Sequence, residues 1–215
     1  MGELKDKGWS SQDVPFTSEA DFLAELLRRA TLLGPPVPTR PRGQAWDVLQ
    51  PKDARVAKPH SLSRTYSTGE FPCHTDTAHW LTPCRYLLFG CVSPGAARRP
   101  TILLDIQDIP LTSTQRNLLI STPLRVANGR NSFFSSIISP SGRFIRYDPG
   151  CMFPIDADGK AALRIFDRQN WDSRLVETHW CHGKLVIIDN WRILHGRGIA
   201  AQPDFDRKLI RVSIQ

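Results

Sequence analysis

Apolar positions along this chain follow two different periods. Within residues 17–33, Phe22, Leu23, Leu26, Leu27, Ala30 and Leu33 recur at three- and four-residue spacing, which places them on one face of a helix. Ser18 stands where an N-cap belongs and Asp21 takes the capping-box position. Gly34 with Pro35, Pro36, Pro38 and Pro41 ends the helix and runs on as an extended connector. From Arg85 onward the pattern changes to strand-length runs: 86–92, 101–105, 132–138, 143–147, 184–189, 192–195 and 208–214. Ser93-Pro94-Gly95, Ser141-Gly142 and Asp158-Gly159 supply turns between several of them. Two helical patches interrupt the runs, a short one at 112–120 and a longer one at 161–177 with Leu163, Phe166 and Leu175 facing inward. Residues 1–16 read as a loose arm and 45–60 as loop with one short element. Many short strands and few helices predict a mainly β protein with flanking helices, a double-sheet jelly roll and not a parallel α/β sheet.

Composition narrows the class. At 215 residues, 40% hydrophobic and 23% charged, the chain reads as one globular domain spanning 1–215, a helical and loop arm at 1–60 preceding a jelly-roll core at 61–215. No apolar run approaches the roughly 20 residues of a membrane span, and the polar start lacks the apolar stretch of a signal peptide. The five cysteines form no CxxC motif and cannot all pair, so they read as reduced thiols in a cytoplasmic protein. The net charge of +7 lies mostly in the body of the chain: residues 1–60 carry nine Lys and Arg against eight Asp and Glu. No basic run interleaves with aromatics, so nucleic acid is not expected as a partner, nor is a membrane; a homo-oligomer stays compatible with the sequence.

Candidate chemistry begins at Phe71-Pro72-Cys73-His74-Thr75-Asp76. In a strand, residues two apart share a face, so His74 and Asp76 are placed to reach one ion together. A third donor is available far away in sequence, where His195 ends an apolar strand just before Gly196. Two imidazoles and one carboxylate on one side of an iron leave the opposite side open for cosubstrate and oxygen. Taken alone, the His-x-Asp pattern is common by chance, and a hydrogen-bonded surface pair is its ordinary reading. Further on, Arg207 and Arg211 lie four apart, and helix and strand periods alike put them on one face. There is no Gly-rich phosphate loop.

His74-Thr75-Asp76 followed by Trp80, Pro83 and the strand Leu87-Leu88-Phe89-Gly90-Cys91, then Thr101 before Ile102-Leu103-Leu104-Asp105, resembles the iron(II)- and 2-oxoglutarate-dependent dioxygenases of the taurine dioxygenase type. The stretch Asp189-Asn190-Trp191-Arg192-Ile193-Leu194-His195-Gly196-Arg197 is similar to the distal-histidine motif of the γ-butyrobetaine and trimethyllysine hydroxylase branch. The resemblance covers about 64–215. It implies a double-stranded β-helix, iron(II) held by His74, Asp76 and His195, and 2-oxoglutarate and O2 as cosubstrates. It further implies that Thr101 and Arg207 bind the distal carboxylate of 2-oxoglutarate, a bidentate task that suits arginine. Arg211 matches a position that binds an acidic group of the prime substrate in some members.

The expected reaction is hydroxylation or desaturation of an unactivated C–H bond in a small acidic or zwitterionic metabolite, such as an amino acid. Because Asp76 is present, halogenation is not expected. Arg146, at the end of the 143–147 run, is a further substrate candidate, with Asp148 beside it. His79 and the cluster His179-Trp180-Cys181-His182 read as structural. Trp80, Trp171, Trp180 and Trp191 keep open an aromatic cage for a quaternary ammonium. One departure stands out: where the family usually has Gly-Gly before the threonine, this chain has Arg98-Arg99-Pro100, so the turn must differ. The alternative readings are an oxidative nucleic-acid demethylase, against which stand the 121 residues (195 − 74) between the histidines, and a non-catalytic jelly-roll binding module.

Overall fold

A computed structural model describes residues 2–53, 55, 62–167 and 170–215. In chain order the strands are β1 (Trp9–Asp13), β2 (Pro36–Val37), β3 (Trp46–Leu49), β4 (Phe71–His74), β5 (Tyr86–Ser93), β6 (Thr101–Asp105) and β7 (Leu124–Asn128). They continue with β8 (Asn131–Ser135), β9 (Met152–Pro154), β10 (Val176–Thr178), β11 (Lys184–Asp189), β12 (Ile193–Arg197) and β13 (Lys208–Ile214). The helices are α1 (Gly2–Lys7), α2 (Glu19–Leu33), α3 (Leu62–Tyr66), α4 (Ser113–Ser121) and α5 (Ala157–Arg164).

The main sheet runs β1-β11-β5-β13-β2, with β3 also paired to β13, and faces a second sheet ordered β10-β6-β12-β4. A small sheet, β8-β7-β9, flanks them. Every pairing among these strands is antiparallel, giving the jelly roll that the strand pattern predicts. Alternation along the strands decides what each face does. On β5, Leu87, Phe89 and Cys91 point between the sheets, where they meet Leu103, Val186, Ile188, Ile193 and Leu209. Leu88 points to the other face, where Phe22, Leu26 and Ala30 of α2 cover it together with Ile210, Val212 and Ile214 of β13. Gly90 sits under that helix: a Cβ there would lie 2.6 Å from a Leu26 methyl and 2.8 Å from Phe22, so the close approach of α2 requires glycine. On β13 the odd positions Leu209 and Arg211 consequently look into the space between the sheets, in line with Arg207 just before the strand.

Helix α2 begins as its sequence predicts, the Ser18 hydroxyl accepting from the Asp21 amide at 3.2 Å and donating to Asp21 Oδ2 at 2.7 Å. Several other elements differ from expectation. Residues 9–13 are not a loose arm: they form the edge strand β1 on β11, and 46–49 form β3 on β13. The 143–147 run makes no strand, only an Ile138–Ile145 bridge, because its backbone is shared among three partners: the Ile145 amide donates to Trp191, the Arg146 amide to Ile137, and Tyr147 accepts from Thr75. The helix expected at 161–177 is displaced. Asp156 caps α5 by accepting from the Gly159 amide at 2.7 Å, the helix ends at Arg164, and 176–178 becomes β10 on β6. Part of that expectation, at 168–169, lies outside the described residues. Among the described residues no helix is long and apolar enough to cross a membrane, and all five cysteines are free.

Candidate active site

His74 ends β4 and His195 is the third residue of β12. The two strands pair so that these histidines are direct cross-strand partners, their ring centroids 4.7 Å apart. The chain then turns: Thr77 takes a left-handed φ of +54°, a conformation unfavourable for a β-branched residue, and its hydroxyl compensates by donating to the Asp76 carbonyl at 2.6 Å and accepting from the Cys84 amide at 2.8 Å. The turn swings the Asp76 carboxylate back toward both rings, with Oδ1 3.6 Å from His74 Nε2 and Oδ2 3.8 Å from His195 Nε2. One donor atom from each of the three residues lies within 4.8 Å of the others, with both histidine side chains buried and that of Asp76 nearly so.

This donor set fits a divalent metal of the iron type. His74 Nδ1 lies 3.1 Å from the Pro72 carbonyl, a contact that orients the ring and leaves Nε2 toward the cluster. Burial pushes His195 down to about 3, helped by the neighbouring His74, so its imidazole is neutral at neutral pH with a lone pair to offer. Its Nδ1 is buried without a hydrogen-bond partner. Burial opposes charge on His74 too, but the Asp76 carboxylate outweighs it and raises the ring's pKa. Burial likewise works against the Asp76 carboxylate, yet the Arg211 guanidinium holds its pKa below the ordinary range.

Two residues around Asp76 were not anticipated from sequence. Asn190 grips its backbone from both sides: Oδ1 accepts from the Asp76 amide at 2.9 Å, and Nδ2 donates to the Asp76 carbonyl at 3.1 Å and to the Cys84 carbonyl at 2.7 Å. The second is Asp47 on β3, which accepts from Arg211 Nη2 at 2.9 Å while Arg211 Nη1 donates to Asp76 Oδ2 at 2.7 Å. Arg211 thus bridges two carboxylates. Asn190→Ala removes three hydrogen bonds from a buried turn; the expected result is a loss of about 2–4 kcal/mol of unfolding free energy and a 10–100-fold weaker metal affinity, read by urea titration and by anaerobic metal titration. Unchanged metal affinity would show that the turn holds Asp76 without the amide.

A cavity of about 340 Å³ opens from these three residues, and Phe71, Phe89, Thr101, Arg207, Leu209 and Arg211 contribute to its wall. Arg207 is 7% exposed, donates from Nη2 to Thr101 Oγ1 at 3.3 Å and makes no ion pair among the described residues. Its Nε is buried without a partner, and burial pushes the guanidinium down to about 10, so it stays charged at neutral pH. Thr101 also accepts from the Trp180 indole at 3.0 Å. The structure therefore brings His74, Asp76, His195, Thr101, Arg207 and Arg211 to one cavity.

Arg146 does not join them. Its guanidinium donates to the carbonyls of Ala78, Trp80 and Leu81, and to Ser135 Oγ, with Phe133 and Phe144 against its faces. A charge with that many carbonyl acceptors organises the loop behind Asp76, so the expectation of a substrate contact at Arg146 is corrected. Asp148 is also outside the cavity wall, accepting from the Gly150 amide. None of the four tryptophans lines the cavity; Trp191 donates to the Pro83 carbonyl and Trp171 to that of Ile165. The turn that replaces Gly-Gly works differently: Arg98 adopts φ +51°, and buried Arg99 donates to the Gly198 carbonyl at 2.8 Å, tying the start of β6 to the end of β12.

No family model matches the chain, and no curated protein is similar to it in sequence. Solved structures do match. An asparagine oxygenase in complex with Fe(II), 2S,3S-3-hydroxyasparagine and succinate superposes with a TM-score of 0.79 at 18% identity, over 99% of this chain and 76% of that one. The non-heme iron oxygenase OrfP with Fe and α-ketoglutaric acid gives 0.74 at 20% identity, over 100% and 77%. PvcB from Pseudomonas aeruginosa gives 0.71 at 20%, over 100% and 78%. At such identities the likeness is one of fold, and what it establishes is that this chain has the jelly-roll fold of the non-heme iron oxygenases.

Proposed function

We propose that this chain is an iron(II)- and 2-oxoglutarate-dependent oxygenase that hydroxylates a C–H bond of a small amino-acid-like substrate. The observation that carries the reading is the shared cavity: a His-Asp-His cluster at one point of the wall and, on the same wall, a buried arginine that makes no ion pair among the described residues. Iron(II) with 2-oxoglutarate and O2 supplies the oxidising power when bound, yielding succinate and CO2 beside the hydroxylated product.

The chain's own residues do the rest. His74, Asp76 and His195 would hold the metal, and neutral His195 binds without first losing a proton. Arg207 and Thr101 would take the distal carboxylate of the cosubstrate, giving a buried guanidinium that makes no ion pair among the described residues a charge-assisted one. Arg211 restrains Asp76 and stands where an acidic group of the substrate would arrive. Phe71, Phe89 and Leu209 keep water from the reacting atoms. The cavity volume, at the low end of the range for small-molecule pockets, favours a metabolite over a nucleic acid. The asparagine oxygenase was solved with hydroxyasparagine and OrfP with (3S)-hydroxy-L-Arg, which supports an amino-acid scale of substrate. The distal motif keeps its likeness to the γ-butyrobetaine branch, but with no tryptophan in the wall a quaternary-ammonium substrate lacks support.

The test is anaerobic addition of iron(II) and 2-oxoglutarate to the purified protein. The expected result is a weak visible charge-transfer absorption that requires both components, followed by succinate release on admitting air. No absorption and no succinate would leave a jelly-roll binding module.

A further inference from the structure

The cavity carries far more positive charge than the cosubstrate can use. Arg40, Lys52, Arg197, Arg207 and Arg211 contribute to its lining, and Asp76 is the one acid among the lining residues. Counting Asp47 behind Arg211 and buried Asp204, whose charge acts on Arg207, five cations face three carboxylates, which leaves two positive charges in excess. The residues outside the described set include no aspartate or glutamate, so none of them adds a carboxylate. A divalent metal and a dianionic cosubstrate cancel each other and leave the excess as it was.

The cations differ in how far they are committed. Arg211 is held by two carboxylates, and Arg207 faces Thr101 at the cosubstrate end. Arg197 donates to the Gly69 and Ser67 carbonyls, both at 2.6 Å, with Phe71 against its face. Two remain at the mouth. Lys52, just beyond β3, is exposed and makes no ion pair among the described residues. Arg40 reaches only the far oxygen of Asp47, at 3.6 Å and with its side chain 57% exposed, a weak contact. Cations of one sign around a low-dielectric cleft concentrate anions there.

We propose that the prime substrate is a small acid bearing a second anionic group, carboxylate or phosphate, and that Arg40 and Lys52 select it. This rests on the reading of the cavity as an oxygenase site. The second group lies at the mouth, while the reacting carbon sits inward, toward His74, Asp76 and His195.

The experiment uses protein loaded anaerobically with iron(II) and 2-oxoglutarate and follows perturbation of the visible absorption as each probe is titrated. L-aspartate, L-glutamate and O-phospho-L-serine are compared with L-asparagine, L-glutamine and L-serine. At least one acidic probe is expected to bind tenfold or more tighter than its counterpart with an uncharged side chain. That ratio is expected to fall toward one in an R40Q/K52Q variant whose folding is checked by circular dichroism. The phosphate and carboxylate arms show which anion is preferred. Equal or tighter binding of the uncharged probes, no binding of any acidic probe, or a ratio that survives in the variant would each overturn the proposal. If the visible absorption never forms, the oxygenase reading itself fails; if it forms without a charge preference, only the substrate inference falls.

Discussion

Asp76→Ala is expected to lower iron(II) affinity at least a thousandfold and to abolish substrate-dependent succinate release. A substitution that merely disturbs a ligand's hydrogen-bond partner costs about 10–100-fold in metal affinity, and here a donor itself is lost. The loss is compounded by charge. Arg211 Nη1 sits 2.7 Å from Asp76 Oδ2, so without the carboxylate a buried guanidinium faces the metal site directly. Stability falls as well, by about 3–5 kcal/mol, because one side of a buried ion pair is removed. Asp76 titrates below its unfolded range in the folded protein, so its contribution is complete at neutral pH and fades only in acid, below the ordinary carboxylate range. Measured in urea without metal, the difference between wild type and variant should therefore be largest at neutral pH and shrink in acid. Asp76→Asn, which keeps the shape and one oxygen, separates loss of charge from loss of packing. Metal affinity of the alanine variant equal to that of wild type would remove Asp76 from the metal site.

Arg207→Gln is expected to weaken 2-oxoglutarate binding by about a hundredfold or more, with iron(II) affinity in the absence of cosubstrate little changed. Truncating one partner of a buried charge-assisted pair costs about 2–5 kcal/mol, and each 1.4 kcal/mol is a factor of ten. Arg207→Lys should recover little, since a point charge on a flexible stem cannot offer the paired donors of a guanidinium fork. The two readouts are anaerobic titration of 2-oxoglutarate and the concentration dependence of succinate release. Because Arg207 carries a buried Nε with no partner and stays charged, the apo protein already bears the cost of desolvating it. The variant's own fold should consequently be no less stable than wild type when the ligand is absent. A cosubstrate requirement indifferent to position 207 would place the distal carboxylate elsewhere.

Much of the site was legible in the sequence because its residues stand at short, regular spacings within a few motifs. The two-residue spacing of His74 and Asp76 pointed to one ion for the wrong local reason: β4 ends at His74, and it is the turn at Thr77, not alternation, that returns the Asp76 carboxylate to the ring. Arg207 and Arg211, four apart, reach the same wall from just before β13 and from within it. The Arg197 and Trp191 neighbourhoods belong to one continuous motif with His195. The residues that escaped notice act through backbone groups. Asn190 is one amide among many until the fold brings Asp76 and Cys84 to it, 114 and 106 residues away in sequence. Arg146 misled for the converse reason: a lone arginine at a strand end looks like a ligand contact, and nothing local tells that three carbonyls of a distant loop surround it. Strand β1, Trp-Ser-Ser-Gln-Asp, carries no alternation because an edge strand is held by ladder hydrogen bonds and needs no buried face of its own. Asp47 was invisible on the same ground, lying on β3, whose membership in the sheet is set by pairing to β13.

His74 and His195 face each other across the β4–β12 seam at the rim of the second sheet, with β12 drawn from the end of the chain. An ion bound there would act as a clasp on that rim: β4 cannot peel from its neighbour without giving up a coordination bond. Metal occupancy would therefore lengthen the lifetime of the closed barrel as well as equip it for chemistry, and a depleted preparation would open first along this edge.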